Sequence, residues 1–299
     1  MHTLNEYMGK TPLVKIKNFF GNKYGNVYVK LEEFNPAGSI KSRVANQMII
    51  SAECRNLISK NTHLLEATGG NTGMGLATMA AIRGYKLTLV IPDNFSKEKI
   101  ETLKQYGANV ILSDHTTGVG SHIRLAHELL KENPEYYHLD QFNNIANPEA
   151  HYLGTGVEIL EQLNRNIHIF VAGIGSGGTI GGVSKRLKEY DSKIRIYGVQ
   201  PEGCDYMNNL TIPHQIEAIS VGVESPFFDK RILSGMISVK YEDVLELIHT
   251  LAKTQGIFVG LSSGANILAA LKLSLNYTNS VNIVTVAPDS GKSYMEKLK

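Results

Sequence analysis

Short apolar runs alternate with helix-length amphipathic stretches along nearly all of this 299-residue chain, and that order limits the fold more than any other feature. Strand-length apolar runs fall at 27–31, 63–65, 87–91, 110–112, 137–139, 167–171, 194–199, 237–239 and 281–286. Spacing and capping residues predict helices over 39–57, 72–83, 96–106, 120–131, 148–163, 178–190, 241–254 and 263–273. Strands joined through helices pair in parallel, because a tight hairpin cannot return the chain in the same direction. The expected fold is therefore α/β, with open, twisted, mostly parallel sheets flanked by helices. A polar, turn-rich break at Asn143-Asn144-Ile145-Ala146-Asn147-Pro148 falls near the middle. The least regular stretch, 201–234, is long enough to be a functional loop.

Charge and composition exclude several classes. A net charge of +2 implies no polyanionic partner, and no basic run interleaved with aromatics points to nucleic acid. The most apolar helical run, 74–82, stops at Arg83 and is too short to cross a membrane. The first residues lack a basic segment followed by an apolar run, so no signal peptide is expected. Cys54 and Cys204 are far apart without metal-site spacing, as expected of reduced thiols in a cytoplasmic protein. The ten histidines are scattered, with neither H-E-x-x-H spacing nor a pairable Ser-His-Asp set. None is assigned to catalysis, and no metal is expected.

Three stretches carry the chemistry. Asn35-Pro36-Ala37-Gly38-Ser39-Ile40-Lys41-Ser42-Arg43 follows a strand and opens a helix, with Ser39 as its expected N-cap. Lys41 then stands in the first turn, where unpaired N–H groups and the helix dipole disfavour a cation. Desolvation would lower its pKa further, and a neutral amine is what Schiff-base chemistry requires. The plain alternative is a solvated surface lysine. Val171-Ala172-Gly173-Ile174-Gly175-Ser176-Gly177-Gly178-Thr179 also joins a strand to a helix, and its glycines and hydroxyls suit a phosphate. It satisfies G-x-G-x-x-G as well, with Glu202 where a dinucleotide fold keeps its ribose acid, so a nicotinamide-dependent dehydrogenase is a rival reading. A non-catalytic α/β binding protein is another. Thr68-Gly69-Gly70-Asn71-Thr72-Gly73 repeats the strand-to-helix arrangement and suits a carboxylate, or serves only as a capping turn.

These three stretches, with Thr11-Pro12-Leu13-Val14 and Gly260-Leu261-Ser262-Ser263-Gly264-Ala265, resemble in family order the motifs of the cysteine synthase and cystathionine β-synthase family. These are fold-type II enzymes that depend on pyridoxal 5'-phosphate, related in fold to the tryptophan synthase β chain. The likeness runs from about Glu6 to about Tyr294. It implies that Lys41 is the cofactor lysine and the catalytic residue. Gly175, Ser176, Gly177, Gly178 and Thr179 would hold the cofactor phosphate, Asn71 its ring oxygen, and Ser262 would face its pyridine nitrogen. Thr68, Gly69, Asn71 and Thr72, with Gln141, would bind the substrate. It further implies an N-terminal lobe over 37–146, with a subdomain near 85–131 that swings closed. Residues 1–36 and 147–299 would form a C-terminal lobe, the cofactor lying between the two.

The implied reaction is β-replacement on O-acetylserine or serine by sulfide or a thiol such as homocysteine. The alternative within the same chemistry is a cysteine or serine β-lyase that releases hydrogen sulfide. A homodimer and a serine acetyltransferase partner enter only through this resemblance. The chain departs from the family at three places: Gly69, where many members carry Ser; Ala218 and Ser220, where members usually carry Gly; and 288–294, which lacks the usual acidic-Arg pair before Tyr294.

Overall fold

The computed structural model describes residues 4–17, 20–118, 120–222 and 224–298. Contacts divide the chain into two compact units, one of Met1–Met8 with Asn35–Asn147 and one of Gly9–Phe34 with Pro148–Lys299.

In the first unit four strands, β3 (His63–Glu66), β4 (Lys86–Pro92), β5 (Asn109–Ser113) and β6 (Tyr136–His138), form a wholly parallel sheet in the order β5-β4-β3-β6. The helices α1 (Lys41–Cys54), α2 (Asn71–Arg83), α3 (Lys97–Gln105) and α4 (Ser121–Glu132) accompany it. Leu65 and Val90 of the sheet pack on Ala126 of α4. The 3-10 turn Leu4–Tyr7 packs near α2 and belongs to this unit, whereas the sequence reading places all of 1–36 with the other lobe.

The second unit holds six strands in the order β1-β2-β10-β7-β8-β9. They are β1 (Leu13–Lys15), β2 (Asn26–Leu31), β7 (Ile169–Gly173), β8 (Arg195–Pro201), β9 (Gly235–Val239) and β10 (Asn282–Ala287). Only β1 runs antiparallel, pairing with β2 at the edge. Its three residues are too short to stand out from Thr11-Pro12 as a periodic run, and the sequence reading omits it. Alternation along the central strands supplies two cores. Ile169, Val171 and Ile283 face α8 (Tyr241–Gln255) and α9 (Leu261–Ser274), meeting Val244, Ile248, Ala265 and Ile267. Phe170, Ala172, Val284 and Val286 face the other way, onto Ile159 of α6 (Gly156–Gln162) and Ile180, Val183 and Leu187 of α7 (Gly178–Tyr190). A strand buried on both faces reads as a continuous apolar run, as 169–172 does.

The helix expected over 148–163 is interrupted. Between α5 (Ala146–Ala150) and α6 the chain makes a π-helical turn, His151–Thr155, in which the Gly156 N–H donates to the His151 carbonyl.

Lys30 on β2 is fully buried, an arrangement that is tolerable only with complete pairing. Its Nζ donates to the Thr11 carbonyl at 2.6 Å and Gln162 Oε1 at 2.8 Å, and it lies 2.7 Å from Glu158 Oε2. The same Thr11 donates its hydroxyl to Glu32 Oε1 at 2.7 Å. The lysine thus fastens β2 to α6. Lys30→Met keeps the apolar stem but removes the cation beside the Glu158 carboxylate, so a loss of about 3 kcal/mol is expected in urea unfolding. An unchanged midpoint would show that this ion pair contributes nothing net.

Candidate active site

In an open α/β sheet, ligands gather where the strand order reverses, at the carboxyl ends of the strands. In the first unit that point lies between β3 and β6. Chain leaving β3 passes through Ala67, Thr68, Gly69 and Gly70 into α2, whose N-cap Gly70 supplies no side-chain bond; a helix start of this kind favours an anion. Chain leaving β6 brings Gln141 to Thr72, whose hydroxyl donates to Gln141 Oε1 at 2.7 Å. Asn147 Nδ2 donates to the Gln141 carbonyl at 2.8 Å and fixes that turn. Thr68, Gly69, Asn71, Thr72 and Gln141 therefore share one end of one sheet.

Gly69 departs from the family for a steric reason. A Cβ there would stand 2.7 Å from Ile91 Cγ2 and 3.0 Å from the Phe95 ring, so the space of the missing side chain is already filled.

Lys41 opens α1. The helix starts two residues later than expected, with Ile40 rather than Ser39 at the N-cap; Ser39 Oγ instead accepts the Lys41 N–H at 3.3 Å, and Gly38 makes the turn at φ +73°. The side chain is half-buried. Burial lowers the Lys41 pKa from 10.5 to about 8, the Glu66 carboxylate pulling the other way. A substantial neutral fraction exists at pH 8, which a solvated lysine would lack. Gly75 of α2 lies directly against this residue, since a Cβ there would come within 2.8 Å of the Lys41 carbonyl oxygen.

In the second unit the order reverses between β10 and β7. Asn266 of α9 bridges the two where they part: its Oδ1 accepts the Gly173 N–H at 2.7 Å and its Nδ2 donates to the Val286 carbonyl at 3.0 Å. The glycine-rich turn follows. Gly177 adopts φ +82° as N-cap of α7 and offers no side chain to the helix, leaving its first N–H groups for an external acceptor. The glycines serve packing as much as ligand approach. A side chain on Gly173 would strike Ile219, one on Gly175 the Ala218 carbonyl, and one on Gly177 Ser225 and Phe228. Ser225 Oγ donates to the Ser176 carbonyl at 2.7 Å, and the Ser220 N–H to the Ile174 carbonyl at 2.8 Å. Residues 218–220 and 225–228 thus brace the turn, and Ala218 and Ser220 adopt φ +67° and +49°. That backbone explains why glycine is usual at both positions; an L-residue there costs roughly 1–2 kcal/mol.

Two groups escape the sequence reading. His151 in the π-helical turn is buried, with Nδ1 3.0 Å from Thr155 Oγ1 and Nε2 3.3 Å from Thr179 Oγ1, which orients the Thr179 hydroxyl. Its position in a turn that breaks the helical period hides it from periodicity. Asp289 is buried and accepts from Tyr294 Oη at 2.5 Å and from Ser263 Oγ at 3.2 Å. Ser262 lies buried in the first turn of α9, whose N-cap is Gly260, so it does not cap that helix. Glu202, the ribose acid of the dehydrogenase reading, is exposed and 3.8 Å from Lys240.

In the second unit a glycine-capped helix start with the Ser176 and Thr179 hydroxyls suits a phosphate, and in the first a lysine of lowered pKa suits an aldehyde; these are the two functions that pyridoxal-phosphate enzymes require. Residues 4–289 match the family described as pyridoxal-phosphate dependent enzymes, and the chain belongs to it. It is 37% identical to a cysteine synthase of Staphylococcus aureus, over 98% of this chain and 94% of the relative. The structure of a hydrogen sulfide-producing enzyme from Fusobacterium nucleatum matches with TM-score 0.92 and 37% identity over 98% of both chains. That of an O-acetylserine dependent cystathionine beta-synthase from Helicobacter pylori matches with TM-score 0.92 and 35% identity, over 99% of this chain and 98% of that one. Membership decides against the dehydrogenase and the non-catalytic readings.

Two substitutions test this geometry. Gly69→Ser forces Ile91 and Phe95 to move, and a loss of about 1–3 kcal/mol in unfolding free energy is expected; wild-type stability would mean that both side chains yield freely. Gly177→Asp adds charge and bulk at the start of α7, so the folded variant should retain little pyridoxal phosphate after gel filtration. Stoichiometric retention would place the phosphate elsewhere.

Proposed function

We propose that this chain replaces the β-substituent of O-acetylserine or serine with sulfide or a thiol such as homocysteine. The observation that carries the reading is Lys41, an amine with its pKa drawn down by burial at the start of α1, in a chain related over almost its full length to a cysteine synthase. Bound pyridoxal phosphate supplies an aldehyde that captures amines and a conjugated ring that accepts electrons from the α-carbon.

The residues of this chain do the rest. Backbone N–H groups at 175–179, with the Ser176 and Thr179 hydroxyls, would hold the phosphate; Asn71 would bond the ring oxygen; Ser262 would offer a neutral hydroxyl to the pyridine nitrogen. Thr68, Gly69 and Thr72 hold the substrate α-carboxylate, with Gln141 keeping Thr72 oriented. Lys41 Nζ would hold the aldehyde and, as a free amine, would take the α-proton as general base, a role its lowered pKa suits. Ser262 brings no formal charge to the ring, which favours expulsion of the β-group over prolonged charge storage. Both named structural neighbours perform chemistry compatible with this reading, and the hydrogen sulfide-producing one keeps β-elimination of cysteine as the second reading. The reading extends to a cytoplasmic homodimer.

The test is a product assay with O-acetylserine or serine as donor and sulfide, homocysteine or cysteine as acceptor. Formation of cysteine or a thioether from O-acetylserine is expected, with transamination negligible. Because Ala218 and Ser220 replace hydrogens in the loop that braces the phosphate turn, the variant carrying Gly at both should change the ratio of thiol to sulfide turnover. Hydrogen sulfide released from cysteine alone, with no replacement product, would establish the lyase instead.

A further inference from the structure

Glu66 closes β3 and is almost wholly buried, yet its pairing is incomplete. Oε1 accepts only the adjacent Ala67 N–H at 3.2 Å, and Oε2 has no hydrogen-bond partner. A buried carboxylate so placed requires a cation. Two are available in the same unit. Lys41 is acted on by the Glu66 charge, and His138, the last residue of β6, holds Nε2 3.5 Å from Glu66 Oε1. That distance is long for a hydrogen bond but short for an ion pair, and the nitrogen has no other partner. Parallel pairing of β3 with β6 places His138 opposite Leu65, one residue short of Glu66, so the two side chains meet at the carboxyl ends of neighbouring strands.

We propose that Glu66 and His138 form a charge-balancing pair for Lys41, in which the His138 imidazolium compensates the Glu66 carboxylate while Lys41 is uncharged. The idea rests on the proposed role of Lys41, whose amine must be neutral both to meet an aldehyde and to take a proton. During those steps Glu66 loses one of its two cations. His138, partly open to solvent through its side chain, takes up a proton that a fully enclosed group could not. The groups facing His138 are Glu66 from β3, Asp140 just beyond its own strand, and the His127 ring of α4, edge-on at 5.9 Å between centroids. Burial favours the neutral imidazole, but Glu66 and then Asp140 outweigh it, and His138 titrates above 6.5. Its imidazolium therefore contributes stability that is full below the ordinary histidine value and fades as pH rises through the raised one. His138 is a positioning residue acting through Glu66, with no contact to substrate implied.

The test is the pH titration of the His138 ring proton by NMR in the full-length protein, assigned by its disappearance in His138→Gln. Removing the anion in Glu66→Gln should lower the His138 midpoint. Removing the competing cation in Lys41→Met should raise it. A midpoint unmoved in either folded variant would overturn the pairing. His138→Gln should also raise the pH midpoint for pyridoxal phosphate capture by Lys41 relative to wild type, because Glu66 then holds the ammonium alone. A lowered midpoint would contradict the proposal. The histidine titration needs no cofactor, so a chain that failed to take pyridoxal phosphate would sink the proposed function and leave the pair to be judged by NMR.

Discussion

Where a parallel strand ends and hands over to a helix, backbone N–H groups stand without partners, and the candidate site depends on that constraint throughout. It occurs at β3 with α2, and at β7 with α7. In each case the helix N-cap is a glycine, which has no side chain to cap those donors. Helix starts of this kind favour anions. Neighbouring side chains then hold the turn in place: Gln141 on Thr72 in one unit, Asn266 and His151 on Gly173 and Thr179 in the other. Lys41 meets the same constraint with the opposite sign, as a cation at a helix start, and its lowered pKa follows from burial at that place.

Glycine is the least transparent residue type in this chain. In the turn at 173–177 the sequence offers the reading of close ligand approach, while the structure assigns much of the need to packing by Ile219, Ala218, Ser225 and Phe228. The reverse holds where glycine is missing. Ala218 and Ser220 adopt left-handed backbone within the loop that braces the turn. A loop of this kind is held by its neighbours rather than by its own preferences. Gly69 is the third case, where Ile91 and Phe95 occupy the volume a serine would need.

Much of the fold was legible because two-sided burial writes itself as continuous apolar runs, as at β7 and β10, and because α7 begins at a glycine cluster. The strand-to-helix turns that bear Lys41, Asn71 and Thr179 were legible for the same reason. What escaped lies outside simple periods. Strand β1 is three residues long, the π-helical turn at His151 breaks a helix that spacing alone would continue, and α9 starts at Leu261 because Gly260 caps it. His138 and Glu66 lie 72 positions apart and meet only because β3 and β6 are neighbours in the sheet. The same is true of Asn266 with Gly173, and no local pattern marks either pair.

The central claim is that Lys41 is the residue that holds pyridoxal phosphate. The most direct measurement is borohydride reduction of the purified protein followed by peptide mapping, with the visible absorption recorded before and after. The account predicts a visible band that is lost on reduction and a single pyridoxyl group on the Nζ of Lys41. A colourless protein that binds no pyridoxal phosphate, or a pyridoxyl group on any other lysine, would contradict it.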